Sequence, residues 1–351
     1  MTSAAGLLGE LVRTPSESGA EEAVADRLEA ELKALGLGPV RVGRSLYAVL
    51  GRGGKLLLLN SHLDTVPPGE GWTRPPLGAV VEAGRLYGRG SNDAKGSVAA
   101  MLLGAARAYA SAPPPGRVCL AFGCEEETSN RGIADLLARV PQPDAAVVGE
   151  PTGLQPAVAQ KGLLLLTVTA KGRSAHAAWG GGVNAVHAAA KDILALASVS
   201  FDREHPVLGR PSLEVTQVEG GRRHNVIPDR CTLVVDIRTT PAYAPDELVA
   251  MVRATVRGEV EVRSRRLESV DTPVGHPIVR AALAANPGAT PFGSPTVSDW
   301  AYLKGNPAVK AGPGDSRRSH APDEYLELAE LEAGVLFYER LIRAYHEPEA
   351  P

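Results

Sequence analysis

Lys55-Leu56-Leu57-Leu58-Leu59-Asn60-Ser61-His62-Leu63-Asp64 carries four consecutive leucines straight into a histidine and an aspartate. A short, continuous apolar run that stops abruptly reads as a strand buried on both faces of a parallel sheet. Two more runs have the same form: Val118–Gly123 stops before Glu125-Glu126-Glu127, and Ala145–Gly149 stops at Glu150. In open α/β sheets ligands bind outside the carboxyl ends of the strands, so these side chains are expected to converge there. Imidazole and carboxylate together are the donors of a metal site.

Around these strands the chain divides. Its 351 residues are long for one ordinary core, and two domains are expected. Glu21–Leu35 has helical spacing, with Ser16-Glu17-Ser18-Gly19 offering capping hydroxyls. Ser91-Asn92-Asp93-Ala94-Lys95-Gly96 stands just before an Ala- and Leu-rich helix, Ser97–Tyr109. After Glu150 the pattern changes to strand Leu163–Ala170, helix Asn184–Ala197, strands Ser212–Val218 and Cys231–Arg238, helix Asp246–Val256 and strand Glu259–Arg263. That order is the split βαβ arrangement, predicting an inserted α+β domain over 163–270 and a discontinuous first domain, 1–162 with 271–351. Helices at Ile278–Ala285 and Leu326–Tyr345 complete the first domain.

Bulk properties exclude several classes. With 44% hydrophobic and 22% charged residues and a net charge of -3, the chain predicts a globular protein with no basic face for nucleic acid or anionic lipid. No apolar run approaches a membrane span, and Met1-Thr2-Ser3-Ala4-Ala5 lacks the features of a secretory leader, so a cytoplasmic protein is expected. Cys119, Cys124 and Cys231 lack CxxC spacing and are expected to be buried free thiols.

Taken singly, each acidic or histidine residue has a plain structural reading. His62 and Asp64 would be a surface polar pair, Asp93 a helix N-cap, Glu150 a capping partner near Pro151, and the acidic run a solvated face. Position argues otherwise. Residues two apart in an extended segment share a face, so Asp64 is expected to accept the second ring N–H of His62 and fix its tautomer. Carboxylates packed at the end of a core strand need raised pKa values or a cation.

Five segments in order resemble the di-zinc aminoacylase and deacylase metallopeptidase family that includes acetylornithine deacetylase, succinyl-diaminopimelate desuccinylase and glutamate carboxypeptidase. They are Ser61-His62-Leu63-Asp64-Thr65-Val66-Pro67, Gly88-Arg89-Gly90-Ser91-Asn92-Asp93-Ala94-Lys95-Gly96, Glu125-Glu126-Glu127-Thr128-Ser129, Gly149-Glu150-Pro151-Thr152 and Ser319-His320-Ala321-Pro322-Asp323-Glu324. The resemblance implies an α/β zinc-peptidase-like catalytic domain with a mixed, largely parallel sheet. It further implies a ferredoxin-like lid and dimerisation domain. Asp93 would bridge two zinc ions, with His62 and Glu150 on one and Glu127 and His320 on the other, and Glu126 would be the general base. Two dications against three carboxylates leave one positive charge for a hydroxide to neutralise, although cobalt or manganese suits the same donors. In the inserted domain, Gly172-Arg173-Ser174-Ala175-His176-Ala177, Asn225-Val226-Ile227-Pro228-Asp229 and Asp236-Ile237-Arg238 resemble lid signatures. There His176 would help hold the oxyanion across a homodimer interface, and Asn225 and Arg238 would bind a substrate carboxylate. Gly312 and Gly314 either present backbone amides to that carboxylate or shape the turn before His320.

The implied function is removal of an acyl group from an N-acyl amino acid, a small molecule. Among members of the family the wording of the motifs most resembles acetylornithine deacetylase of arginine biosynthesis. Acetylcitrulline deacetylase, succinyl-diaminopimelate desuccinylase and a hydrolase releasing lysine or ornithine from an amino-group carrier protein share the machinery. A non-catalytic binding or assembly module of the same fold would need neither Glu126 nor a full ligand set.

Overall fold

The structure, a computed structural model, describes residues 3–110 and 113–347. Met1 and Thr2, the head of the stretch read for a leader, lie outside them. The chain divides into two compact units, one of Met1–Val158, Thr272–Phe292 and Ser298–Pro351, the other of Ala159–Asp271 and Gly293–Val297.

The first unit begins with α1 (Ala4–Arg13) and α2 (Glu22–Ala34), then β1 (Val40–Val42), β2 (Ser45–Gly51) and β3 (Leu56–His62). A hairpin of β4 (Val80–Glu82) and β5 (Arg85–Tyr87) leads to α3 (Lys95–Ala110), β6 (Arg117–Gly123), α4 (Arg131–Leu137), β7 (Ala145–Val148) and β8 (Ala157–Gln160). The second unit holds β9 (Gly162–Lys171), α5 (Ala185–Leu196), β10 (Ser212–Gly220), β11 (Arg230–Thr239), α6 (Pro245–Thr255), β12 (Glu259–Leu267) and β13 (Val270–Asp271). The chain then returns through α7 (Pro277–Ala285), β14 (Phe292–Ser294), β15 (Ala308–Lys310), β16 (Tyr325–Glu327) and α8 (Leu328–His346).

In the first unit the sheet runs β1-β2-β6-β3-β7-β15-β8. Its centre, β6-β3-β7-β15, is parallel and its flanks are antiparallel, the mixed α/β sheet expected. Every residue of β3 is buried, which is why a run of leucines forms it. His62 stands opposite Gly123 and Asn60 opposite Val148, so the three strands stop at one level. Helices α1, α3, α7 and α8 close the core around Leu8, Leu11, Met101, Ala282, Val335 and Tyr338. At the crossing of α3 and α8 a Cβ on Gly104 would lie 2.8 Å from the Tyr338 Cβ, so only glycine permits that approach.

Some local expectations change. No side chain of the Ser16–Gly19 segment caps α2, whose N-cap is Glu21, because the Ser18 hydroxyl is committed to Asp64. Tyr325–Glu327 is a strand paired with β5, and the final helix starts only at Leu328. Gly293–Val297 belongs to the second unit, where the Ser294 carbonyl accepts the Lys161 N–H at 2.9 Å.

The second unit is a four-stranded antiparallel sheet in the order β10-β11-β9-β12. Alternation along β9 and β11 puts Leu164, Leu166, Val168, Leu233, Val235 and Ile237 on one face, with Ala185, Ala189, Leu248 and Val252 of α5 and α6 in the same core. The element order is the expected split βαβ. Among the described residues no helix is long and apolar enough to cross a membrane. The three cysteines are free and buried.

Candidate metal centre

The site stands at the carboxyl ends of β3, β6 and β7. The His62 Nδ1 lies 3.0 Å from the backbone oxygen of Asp64, and a carbonyl can only accept, so Nδ1 carries the proton and Nε2 the lone pair. That lone pair faces the Asp93 Oδ1 at 3.2 Å and the Glu150 Oε1 at 3.9 Å. Acceptors aimed at one another need a proton or a cation between them. Across the site, the His320 Nε2 lies 2.8 Å from the Glu127 Oε1 and 3.6 Å from the Asp93 Oδ2. The two oxygens of Asp93 thus face two different imidazoles. Among the described residues, donor atoms of His62, Asp93 and Glu127 all lie within 4.8 Å of one another.

Asp64 works differently from expectation. Its carboxylate oxygen is 3.6 Å from the His62 Nδ1, beyond hydrogen-bond length, because the chain turns at the strand end and presents the carbonyl to the ring. The carboxylate instead accepts the Glu126 and Glu127 amides at 2.9 and 3.1 Å and the Ser18 hydroxyl at 2.7 Å. Asp64 therefore fixes the turn that carries both glutamates. Glu125 bends that turn at φ +55°, and its carboxylate pairs with Arg44, which also donates to Glu21 at 2.6 Å. Glu21 in turn accepts the Glu125 amide at 3.0 Å.

The electrostatics call for positive charge. Burial, followed by the charge of Asp93, pushes Glu150 up to about 8 despite His62 and Lys310 nearby. Burial also raises Glu126 well above the ordinary carboxylate range, with Glu150, Asp299 and Glu127 adding to it against His62. Asp299, buried and bonded to Asn130 at 3.1 Å, is pushed up to about 6. Burial opposes charge on His62, but Asp64, Asp93, Glu126 and Glu150 more than offset it and raise the ring well above 6.5. Carboxylates crowded to this degree fit a site for divalent cations, and the donor set of two imidazoles and three carboxylates suits zinc, cobalt or manganese.

The remaining expected residues divide. Gly312 and Gly314 are buried; the Gly312 N–H donates to the Thr152 hydroxyl, and a Cβ there would lie 2.4 Å from the Ser97 Oγ. Gly314, at φ +93°, has the Asn92 side chain where its Cβ would be. These close approaches fit the turn before His320, the second of the two readings of this segment. In the second unit, His176 is exposed, and its Nδ1 accepts the Ala178 N–H at 3.2 Å, which leaves Nε2 as the donor. Asn225 is exposed and its carbonyl accepts the Ala177 N–H at 3.0 Å. Arg238 spends Nε and Nη2 on Asp236 at 2.9 and 3.2 Å. Sequence reasoning assigned no role to Arg89, Lys95, Asp299, Lys310 or Glu324, all buried. The signal for three of them was a charge inside a quoted motif. Lys95 donates to the Leu11 and Thr14 carbonyls at 2.9 and 3.0 Å, and burial lowers it to about 7.

The family model described as peptidase family M20/M25/M40 matches residues 58–344. A succinyl-diaminopimelate desuccinylase of Dinoroseobacter shibae is 32% identical over 98% of this chain and 100% of its own length. A solved tripeptidase of Staphylococcus aureus superposes with a TM-score of 0.79 at 20% identity, covering 98% of each chain. A Bacillus subtilis protein described as a dinuclear metal binding peptidase gives a TM-score of 0.76 at 18% identity over 97% of this chain and 96% of its own.

Proposed function

The chain belongs to peptidase family M20/M25/M40, whose members are metal-dependent hydrolases of amide bonds, and from that membership we propose that it removes the acyl group from an N-acyl amino acid at a two-zinc site. The observation that carries the two-metal part is Asp93, with Oδ1 toward His62 and Oδ2 toward His320. His62 and Glu150 would hold one ion, Glu127 and His320 the other. Bound there, divalent ions supply Lewis acidity toward the amide carbonyl and lower the pKa of a water. Glu126, held beside Glu127 by the turn that Asp64 fixes, would take the proton of the attacking water and pass it to the leaving nitrogen.

N-acetylornithine is the substrate favoured by the wording of the motifs, and N-succinyl-diaminopimelate is the one in the name of the Dinoroseobacter relative. A carrier-linked amino acid is a second reading favoured by a separate observation. An open cavity of about 670 Å³ in the second unit is lined by Arg222, Arg223 and Arg230 as well as Glu219 and Asp229, and the small excess of positive charge would suit an anionic segment of a carrier. Amine release from acetylornithine, acetylcitrulline, succinyl-diaminopimelate and a carrier-linked lysine, with a chelator control, decides among them. One substrate is expected to exceed the rest by at least tenfold in kcat/KM. No release from any of them, with zinc or cobalt added, would leave only the non-catalytic binding module.

We also read the second unit as a homodimer contact in a cytoplasmic protein. The exposed edge strand β10 and the free Nε2–H of His176 support this, since an oxyanion is stabilised by a preorganised donor. Sedimentation of the active species is expected to give a dimer. A fully active monomer would remove His176 from the chemistry.

A further inference from the structure

Arg89 and Glu324 form an ion pair at 2.7 Å, with side chains 3% and 0% exposed, although 235 positions separate them. Taking two charges out of water is costly, and a well-packed apolar pair commonly stabilises a fold as well or better. What hydrocarbon cannot do is bind backbone. The Glu324 Oε1 accepts both the Asn92 and Asp93 amides at 3.0 Å, and its Oε2 takes Arg89. The Arg89 Nη2 donates to the Pro68 carbonyl at 3.0 Å and to the His320 carbonyl at 3.4 Å. His320 itself is held at φ +62° with its side chain half exposed, so its backbone needs external support.

We propose that Arg89 and Glu324 are positioning residues that lock the bridging Asp93 and the outer ligand His320 at the spacing two metals require. The pair ties three chain segments at their backbones: the Asn92-Asp93 turn, the loop after β3, and the His320 loop. The inference rests on the two-metal reading. His62 and Glu150 stand on strand ends that the pair does not touch, so loosening it releases mainly the ion shared by Glu127 and His320.

The test is zinc binding to chelator-stripped protein by equilibrium dialysis, with cobalt absorption as a second readout, for the wild type, Glu324→Gln and Arg89→Lys. Gln cannot hold the guanidinium charge, and Lys has one nitrogen where Arg89 serves three acceptors. The wild type is expected to bind two ions. Each variant should keep the first ion and bind the second about 10 to 100 times more weakly, with kcat restored at high zinc and KM unchanged. If Glu324→Gln fails to fold, Arg89→Lys carries the same expectation. Folded variants holding both ions at wild-type affinity would overturn the proposal. Equal weakening of both ions, with a matching loss of thermal stability in the metal-free protein, would also overturn it by showing a structural role alone. A wild type binding fewer than two ions would instead overturn the two-metal reading, and this one with it.

Discussion

Glu126→Gln will lower kcat about 10³-fold, leave KM within a few-fold and leave both metals bound, as measured by steady-state kinetics beside metal content. The amide has the shape of the carboxylate but cannot accept a proton, and general acid–base catalysis by a positioned side chain is worth roughly 10²- to 10⁴-fold. A 10³-fold loss corresponds to about 4 kcal/mol of transition-state stabilisation. The fold should tolerate the change, because the turn is held by the backbone: the Asp64 carboxylate accepts the Glu126 amide, and Glu125 is tied through Arg44 to Glu21. Loss of kcat without loss of metal separates a proton-transfer role from ligation. A Gln variant turning over at near wild-type rate would strip Glu126 of the assignment, whereas one that loses metal would make it a ligand.

A single acidic run that would divide into base, ligand and turn support marks the reach of the sequence. Runs such as Leu56–Leu59 announce buried parallel strands, because nothing in them tolerates water on either face. Their abrupt ends were enough to expect convergence of His62, Glu127 and Glu150. Short pieces escaped: β15 is three residues long and ends in the buried Lys310, which reads as a surface charge. The Asp64 expectation failed on a detail that period-two spacing cannot contain. The chain bends after β3, with the Leu63 amide on the Gly123 carbonyl, and the carbonyl of Asp64 meets the ring in place of its carboxylate. At Gly312 and Gly314 the sequence leaves two readings open, since close approach of a ligand and close approach of Ser97 or Asn92 demand the same missing Cβ. The pairing of Arg89 with Glu324 is set by tertiary packing alone, and no local pattern encodes it.

Removing the metal with a chelator will abolish turnover and make stability fall as pH rises from 5 to 7. Glu150, raised from 4.5 to about 8, and Glu126, raised well above 4.5, keep their protons in the folded metal-free site but lose them in the unfolded chain. Over that window the native state binds more protons than the unfolded state, so the slope of stability against pH is negative. Their contribution is complete below about pH 4.5 and is lost as pH climbs through the folded values. Asp299, raised from 3.8 to about 6, acts in the same sense at the lower end. Lys95 opposes only above about 7, its folded value, because burial makes it lose its proton before the unfolded lysine does. Asp64 and Asp93, both lowered, have given their stabilisation by pH 5. One net proton across two pH units amounts to about 3 kcal/mol, on the order of 4 °C in Tm for a chain of this size. With zinc restored, the dications take the place of those protons, and Tm should rise and become nearly flat across the window. A chelated protein with full turnover would remove metal from the chemistry, and a metal-free Tm that is flat or rising between pH 5 and 7 would refute the crowding of acids from which the metal site was argued.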